Sequence, residues 1–479
     1  MSFVSLCFTN NQIYGKVPSD TFEDIKLTEL FEKNVLSVME KLPTEEDIFL
    51  RHEVFCSLED EKTRNFYFSC LYELQELKRI FSAYSKAKSE KEKVYIFSSL
   101  LYGVCNFYKK AAQRYSNSGF LKAFSDQFEK LINKESFKNA AKDSAEIKEK
   151  IFGEFSVVKY ADRIAVAAKT KEGFLERIKK CAEDMEISLG KCDYLSRRIS
   201  PEFTNILSEI YPDIWPCLDT LYEKYKDIPN QELLEYIDQL DFYLSVFTVM
   251  QRVKGMGIPL CFAVISQKES IRIYEGYDIT LVSKECENII PNDIIFDKND
   301  PFFFLSGANG GGKTTYLRTC GVNVLFSLLG CPVCAKSSSV CMLNGVLTHF
   351  PRDERFDSDG RFLDEQKRVE TMLSDMGKRS LLLLNETYST TNEAKAAQMT
   401  ASLAHKLFEE KQFGVYVTHQ KSVLKESIPL LGCKVDTDDE NKRTFKIERI
   451  NYIGSSFAED ILKKYALSRA DLEERFGEL

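Results

Sequence analysis

One short segment constrains this chain more than any other: Gly307-Ala308-Asn309-Gly310-Gly311-Gly312-Lys313-Thr314, set between the apolar run Phe302–Leu305 and a helix-patterned stretch, Thr315–Leu329. Glycine lets successive backbone N–H groups curl round an anion, and the helix that follows presents the positive end of its dipole to the same point. The spacing G-x-x-x-x-G-K-[ST], fed by a strand and received by a helix, is that of a phosphate-binding loop. Such a loop stands at a sheet edge, so this part of the chain is expected to form an α/β domain. The bland alternative, a glycine-rich turn carrying a surface lysine, leaves the flanking strand and helix signals unexplained. On the sharper reading Gly307 through Thr315, with Ala308 and Asn309 among them, contact ATP. Lys313 reaches the β- and γ-phosphates, and the Thr314 hydroxyl binds Mg²⁺.

A second apolar run fits the same sheet. Leu381-Leu382-Leu383-Leu384 ends in Asn385-Glu386, as a buried strand emerging at its C-terminal edge should. Sites of this type usually place an Asp there to support the metal and then a Glu to orient or deprotonate the attacking water. Here the first is Asn385, whose amide oxygen still accepts from a metal-bound water but brings no negative charge. Glu386 is the candidate catalytic base. A third run, Phe413–Thr418, precedes His419, which either senses the γ-phosphate or is a structural strand-end histidine. Its order after Lys313 and Glu386 favours the sensing role.

The first half of the chain reads as helix after helix. Cys70, Leu74, Leu77, Phe81 and Tyr84, then Val94, Phe97, Leu101, Val104 and Tyr108, recur at spacings of three and four. A long helix is expected over 231–252, with Leu234, Ile237, Leu240, Leu244 and Phe247 on one face. Beyond Lys254 the pattern changes to short β-type runs, Leu260–Ile265, Ile271–Tyr274, Ile279–Val282 and Asp293–Phe296, so the main boundary falls near 255.

Composition limits the partners. The net charge of −8 argues against a strongly basic nucleic-acid binder, although residues 101–200 hold twenty Lys/Arg against fourteen Asp/Glu. That local excess either touches a phosphate backbone or is a solvated helical surface. Fourteen cysteines without regular spacing, and no basic segment leading into an apolar run at the N-terminus, point to reduced thiols in a cytoplasmic protein. No apolar run is long enough to span a bilayer. Cys331-Pro-Val-Cys334, with Cys341 nearby, reads as metal ligands or as buried thiols; the lack of a second C-x-x-C or a His pair favours thiols.

Taken together, these motifs resemble the MutS family. Gly307–Arg318 is similar to that family's phosphate loop G-P-N-M-G-G-K-S-T-Y-x-R, including Asn309, Tyr316 and Arg318. Ile271-Arg-Ile-Tyr-Glu275-Gly276 and Ile290-Pro291-Asn292-Asp293 resemble its I-x-I-x-E-G and V-P-N-D strands. Asn385-Glu386 through Thr390-Thr391-Asn392 is similar to D-E-x-x-x-G-T-S-T, Val417-Thr418-His419 to A-T-H, and Ser456–Leu467 to the helix ending in A-G-L-P. More loosely, Glu46–Val54 resembles an I-x-x-R-Q-x-V helix.

The resemblance implies a multidomain fold, an α-helical core and lever region followed by an α/β P-loop NTPase domain of the ABC/MutS type. Its parts would be a helical core over 1–120, a short clamp-like region over 121–200, lever helices over 201–255 and the ATPase domain over 256–479. It also implies ATP and Mg²⁺ as cofactors, a homodimer, DNA as a partner and no membrane. Ser358-Asp-Gly360-Arg361-Phe362-Leu-Asp-Glu365 aligns, with a gap, with the signature S-G-R-S-T-F-M-x-E that completes the partner's site in trans.

The sequence is expected to leave no room for the family's N-terminal mismatch-reading domain with its Phe-x-Glu, so mismatch recognition is not implied. Two functions stay open: an ATPase coupling nucleotide state to DNA through helical arms, or a nucleotide-gated protein-interaction module with weak or no turnover. An ABC-type or chromosome-maintenance ATPase is disfavoured, because only 73 residues separate Lys313 from Glu386, too few for a large inserted subdomain.

Overall fold

The computed structural model describes residues 3–9, 12–152, 155–159, 164–168, 212–282, 289–307, 309–351, 358–388, 393–420, 422–425, 427–435 and 443–450. Two compact units emerge, one of Met1–Leu6 with Ser57–Leu240, the other of Cys7–Cys56 with Asp241–Leu479. A helical region thus precedes an α/β domain. The grouping of residues 7–56 with the C-terminal domain is a feature that periodicity does not reveal.

The first unit is built from helices Glu61–Ser85, Glu90–Ala111, Gly119–Ile132, Glu135–Phe152 and Ile214–Tyr225, with an antiparallel hairpin Phe155–Lys159/Ile164–Ala168. Local chemistry fixes the helix starts: Asp60 accepts from the Thr63 amide at 2.8 Å, and Ser89 from that of Glu92 at 3.1 Å. The stripes of three-and-four spacing face inward, from Cys70 to Phe81 and from Val94 to Tyr108; Tyr84 is half-buried. Phe3, Tyr108, Phe124, Phe128 and Tyr236 form one aromatic cluster. The expected 231–252 helix begins as a 3-10 turn, Gln231–Leu234, and continues as Glu235–Gly255. It buries more than one face, since Tyr236, Phe242, Tyr243 and Val246 are as enclosed as the expected stripe.

The second unit is organised by a six-stranded sheet. Its strands are β1 (Phe302–Ser306), β2 (Gly345–His349), β3 (Ser380–Asn385), β4 (Phe413–Val417), β5 (Leu430–Val435) and β6 (Arg443–Ile450), in the order β2-β3-β4-β1-β5-β6. All neighbours run parallel except the last pair. Parallel strands covered on both faces need apolar side chains throughout, which is why β1, β3 and β4 read as near-continuous apolar runs. Helices α1 (Lys313–Leu329), α2 (Ser358–Ser374) and α3 (Glu393–Glu409) supply the cover. Val369, Met372, Leu403 and Leu407 pack with Phe302, Phe304, Leu382, Leu384 and Tyr416.

Helix α1 is enclosed almost all round, and Gly321 shows how closely: an added Cβ would lie 3.0 Å from Leu383 Cδ1 and 2.8 Å from Ile25 Cγ2. Residues 7–56 therefore form part of its cover. Within them, helix Glu45–Ser57 carries Arg51, fully buried, whose guanidinium donates to the Cys7 carbonyl at 3.0 and 3.1 Å and to that of Leu329, at the end of α1, at 2.9 Å. A cation at the carbonyl end of a helix is favoured by the helix dipole.

A smaller sheet orders Val264–Ile265, Ser337–Val340, Ile271–Gly276 and Asn292–Phe296. Two expectations need correction. The Leu260–Ile265 run is a strand only at Val264–Ile265, with Cys261 bridging to Val333. Ile279–Val282, expected as β, is a single helical turn, because Asp278 Oδ1 accepts from the Thr280 amide at 2.9 Å and hydroxyl at 2.7 Å and starts a helix there. Among the described residues no helix is long and apolar enough to cross a membrane.

Candidate functional site

Strand order creates the site. β3, β4 and β1 are parallel neighbours, so their C-terminal ends open side by side along one edge of the sheet. Asn385 closes β3, Thr418 and His419 follow β4, and the glycine loop leaves β1. Residues distant in sequence meet because three strands point the same way.

The loop after β1 turns into α1 at Gly312, which has φ +94°. An added Cβ there would sit 3.4 Å from Phe445 Cδ1 in a backbone region that side chains strain to occupy, so the loop's surface at this point is bare backbone. Lys313 is buried and donates from Nζ to the Gly307 carbonyl at 2.9 Å, closing the loop on itself. Cys433, on β5, contacts the Gly311 carbonyl at 3.2 Å. Thr314 and Thr315 are partly exposed in the first turn of α1, Asn309 and Gly310 are exposed, and Ala308 lies outside the described residues. Tyr316 and Arg318 are anchored to the Asp293 carbonyl at 3.1 Å and the Asp24 carbonyl at 3.4 Å.

At the end of β3, Asn385 is buried opposite Val417. Glu386 follows with φ +52° and its amide bonded to the Val417 carbonyl at 3.0 Å. Its Oε1 lies 3.1 Å from His419 Nε2, which donates to it. That hydrogen bond holds the Glu386 carboxyl below its ordinary value, partial burial opposes it, and the charges of His419 and Lys313 reinforce it. The structure thus brings Lys313, Glu386 and His419 to one edge, with Asn385 beside them.

Ser358, Gly360 and Arg361 form the first turns of α2; their side chains lie outside the described residues, as do Thr390–Asn392 and the Ser456–Leu467 segment. Cys331 and Cys334 are buried, and burial pushes both thiols up, which keeps them protonated. No group of three or more potential ligands that could hold a metal ion is assembled among the described residues.

Sequence reasoning missed several neighbours. Phe445 lies over Gly312, and the Asn292 side chain donates to its carbonyl at 3.1 Å. Thr387, buried, meets His349 Nδ1 at 3.1 Å through its hydroxyl. Asn292 belongs to a strand motif, but no local pattern marks Phe445, Thr387 or His349 or discloses these contacts, each of which joins segments distant in sequence.

Residues 303–450 match the family described as MutS domain V. Among curated proteins the chain is similar to the DNA mismatch repair protein MutS of Petrotoga mobilis, at 24% identity over 216 residues, which is 45% of this chain and 25% of that protein. The corresponding protein of Caldanaerobacter subterraneus subsp. tengcongensis is 24% identical over 251 residues, 50% of this chain and 28% of its own length. That of Fervidobacterium nodosum is 27% identical over 211 residues, 44% and 25% respectively. The matches span about a quarter of each relative's length.

Proposed function

We propose that this MutS-related protein binds ATP with Mg²⁺ in the Gly307–Thr315 loop, hydrolyses it, and couples nucleotide state to DNA binding through its helical region. The observation that carries the reading is the convergence of the glycine loop, Glu386 and His419 on one edge formed by parallel strands. The residues fit a triphosphate. The loop is bare backbone at Gly312 and encloses a buried ammonium, which suits an anion that must be held closely by N–H groups and by one cation. Thr314, through its hydroxyl, and Asn385, through a bound water, would hold Mg²⁺, which when bound neutralises charge on the phosphates. Glu386, kept ionised by His419, is the group available to accept a proton from water. DNA as the target is supported by the likeness to DNA mismatch repair proteins, and a dimer closed by the Ser358–Arg361 segments by the signature resemblance.

Two features favour a second reading, a nucleotide-gated interaction module with little turnover. Asn385 removes a charge from the metal position, and the lowered Glu386 carboxyl is a weaker base than an unpaired one. Glu386→Gln separates the two. Under the hydrolytic reading it retains ATP affinity and loses turnover by about 10²-fold or more. Equal turnover in wild type and variant would defeat that reading. Steady-state ATPase measured with and without branched, mismatched and single-stranded DNA tests the DNA coupling; a rate indifferent to all three would count against it.

A further inference from the structure

Glu386 stands on a strained turn. It and Tyr388 both have left-handed backbone, φ +52° and +67°, and neither is glycine. Each such residue costs on the order of 1–3 kcal/mol unless its surroundings over-determine it. Four hydrogen bonds do so. The Glu386 amide donates to Val417 O at 3.0 Å, and Tyr416 Oη donates to Thr387 O at 2.9 Å, both from β4. His349, at the end of β2, meets the Thr387 hydroxyl at 3.1 Å. The fourth bond comes from outside the sheet: the Tyr388 amide donates to Glu365 Oε1 at 2.9 Å, and Glu365 lies on α2.

We propose that Glu365 is a positioning residue for Glu386, linking the Ser358–Arg361 end of α2 to the carboxylate that faces water. The inference rests on the hydrolytic reading above. Three of the four restraints come from strands of the sheet that carries Glu386 itself. The Glu365 bond belongs to a helix whose first turns carry the segment aligned with the trans-acting signature. Seven residues of helix separate Ser358 from Glu365, roughly 10 Å, and a helix transmits displacement along its axis. A carboxylate accepting from an amide makes a strong bond, yet one that weakens within a few tenths of an ångström of stretch. A shift of α2 on engagement of its N-terminal end would therefore tighten or release the turn at Tyr388, and with it the aim of Glu386. Each site's turnover would depend on whether its own α2 is docked against a partner.

The test compares Glu365→Ala with Glu365→Gln in the full chain, reading turnover, ATP affinity and hydrogen–deuterium exchange of the 386–388 amides. In Glu365→Ala, exchange at these amides speeds about tenfold or more and turnover falls by about tenfold, while ATP affinity stays within about twofold. Glu365→Gln, whose side-chain carbonyl still accepts, restores most of both. If Glu365→Ala does not fold, Glu365→Asp takes its place, because the shorter side chain cannot reach the amide from the same helical position. Unchanged exchange in the acceptor-deleted variant, or a Gln variant as impaired as Ala, overturns the proposal. A wild type without ATPase activity defeats the proposed function instead, and the exchange measurement still decides the role of Glu365.

Discussion

Two turns leave the same edge of the same sheet and reach the left-handed backbone region by different means. The turn after β1 uses glycine, with Gly310 at φ +68° and Gly312 at +94°. The turn after β3 uses Glu386 and Tyr388, residues that resist the same region, and holds them there with bonds from β2, β4 and α2. The first is relaxed in itself and can close round a ligand without outside help. The second is held only while its neighbours hold it. One is suited to constant binding, the other to a geometry that can be released.

Breaking the glycine turn should give the largest effect. Lys313→Ala removes the buried ammonium that closes the loop, and ATP affinity should fall by about 10²-fold or more, the scale of truncating a buried charged partner. Equilibrium titration checks this, and unchanged affinity in a folded variant would end the phosphate-loop assignment. Gly312→Ala forces a side chain into the left-handed region, at about 1–2 kcal/mol, and toward Phe445. Affinity should fall by about tenfold. A Phe445→Ala, Gly312→Ala double variant sharpens the comparison: it relieves the contact but not the backbone strain, so most of the loss should persist.

The bonded turn should respond more gently to any one deletion. Tyr416→Phe removes the hydroxyl shared by the Thr387 carbonyl and, at 3.1 Å, the Thr400 hydroxyl. Chemical denaturation should show a loss of about 1 kcal/mol, with faster amide exchange at 386–388. A loss as large as that of a deleted core side chain would mean the turn rests on one bond rather than four.

The smallest effect is in pH. Because His419 lowers the Glu386 carboxyl, the pair's contribution to stability is present above the unfolded carboxyl value and is lost as pH falls through the lower folded one. With both side chains more than a third exposed, solvent screening keeps that contribution slight. In His419→Ala the carboxyl returns toward its ordinary value, so the acid limb of the turnover profile should move to higher pH. An acid limb that stays in place would assign it to another group.

The same contrast explains what the sequence discloses. Glycine spacing, an apolar strand on one side and a helix on the other are local marks, so the loop at 307–314 and the strands at 302–306, 380–385 and 413–417 were all legible. Glu365 was legible only as the last residue of the stretch aligned with the signature; its bond to the Tyr388 amide was not, because a side chain accepting from a remote amide leaves no periodicity. Ile279–Val282 misled because a β-branched, apolar tetrapeptide reads as strand, while Asp278, the residue that starts the helical turn, is a single polar letter before it. Arg51 was visible as part of a helix motif, but its burial against Leu329 needed the three-dimensional approach of two segments.

That approach has a consequence for how the chain is made. Residues 7–56 leave the ribosome before Ser57–Leu240, yet α1 and the strands they pack beside lie beyond Asp241. At about 5–20 residues per second, roughly 10–40 s of synthesis separates the two halves of that unit. During that interval the early segment lacks the cover that α1 gives to its apolar surface and to the Arg51 side chain. The unit that carries the glycine loop therefore closes a circuit whose two ends are translated far apart in time.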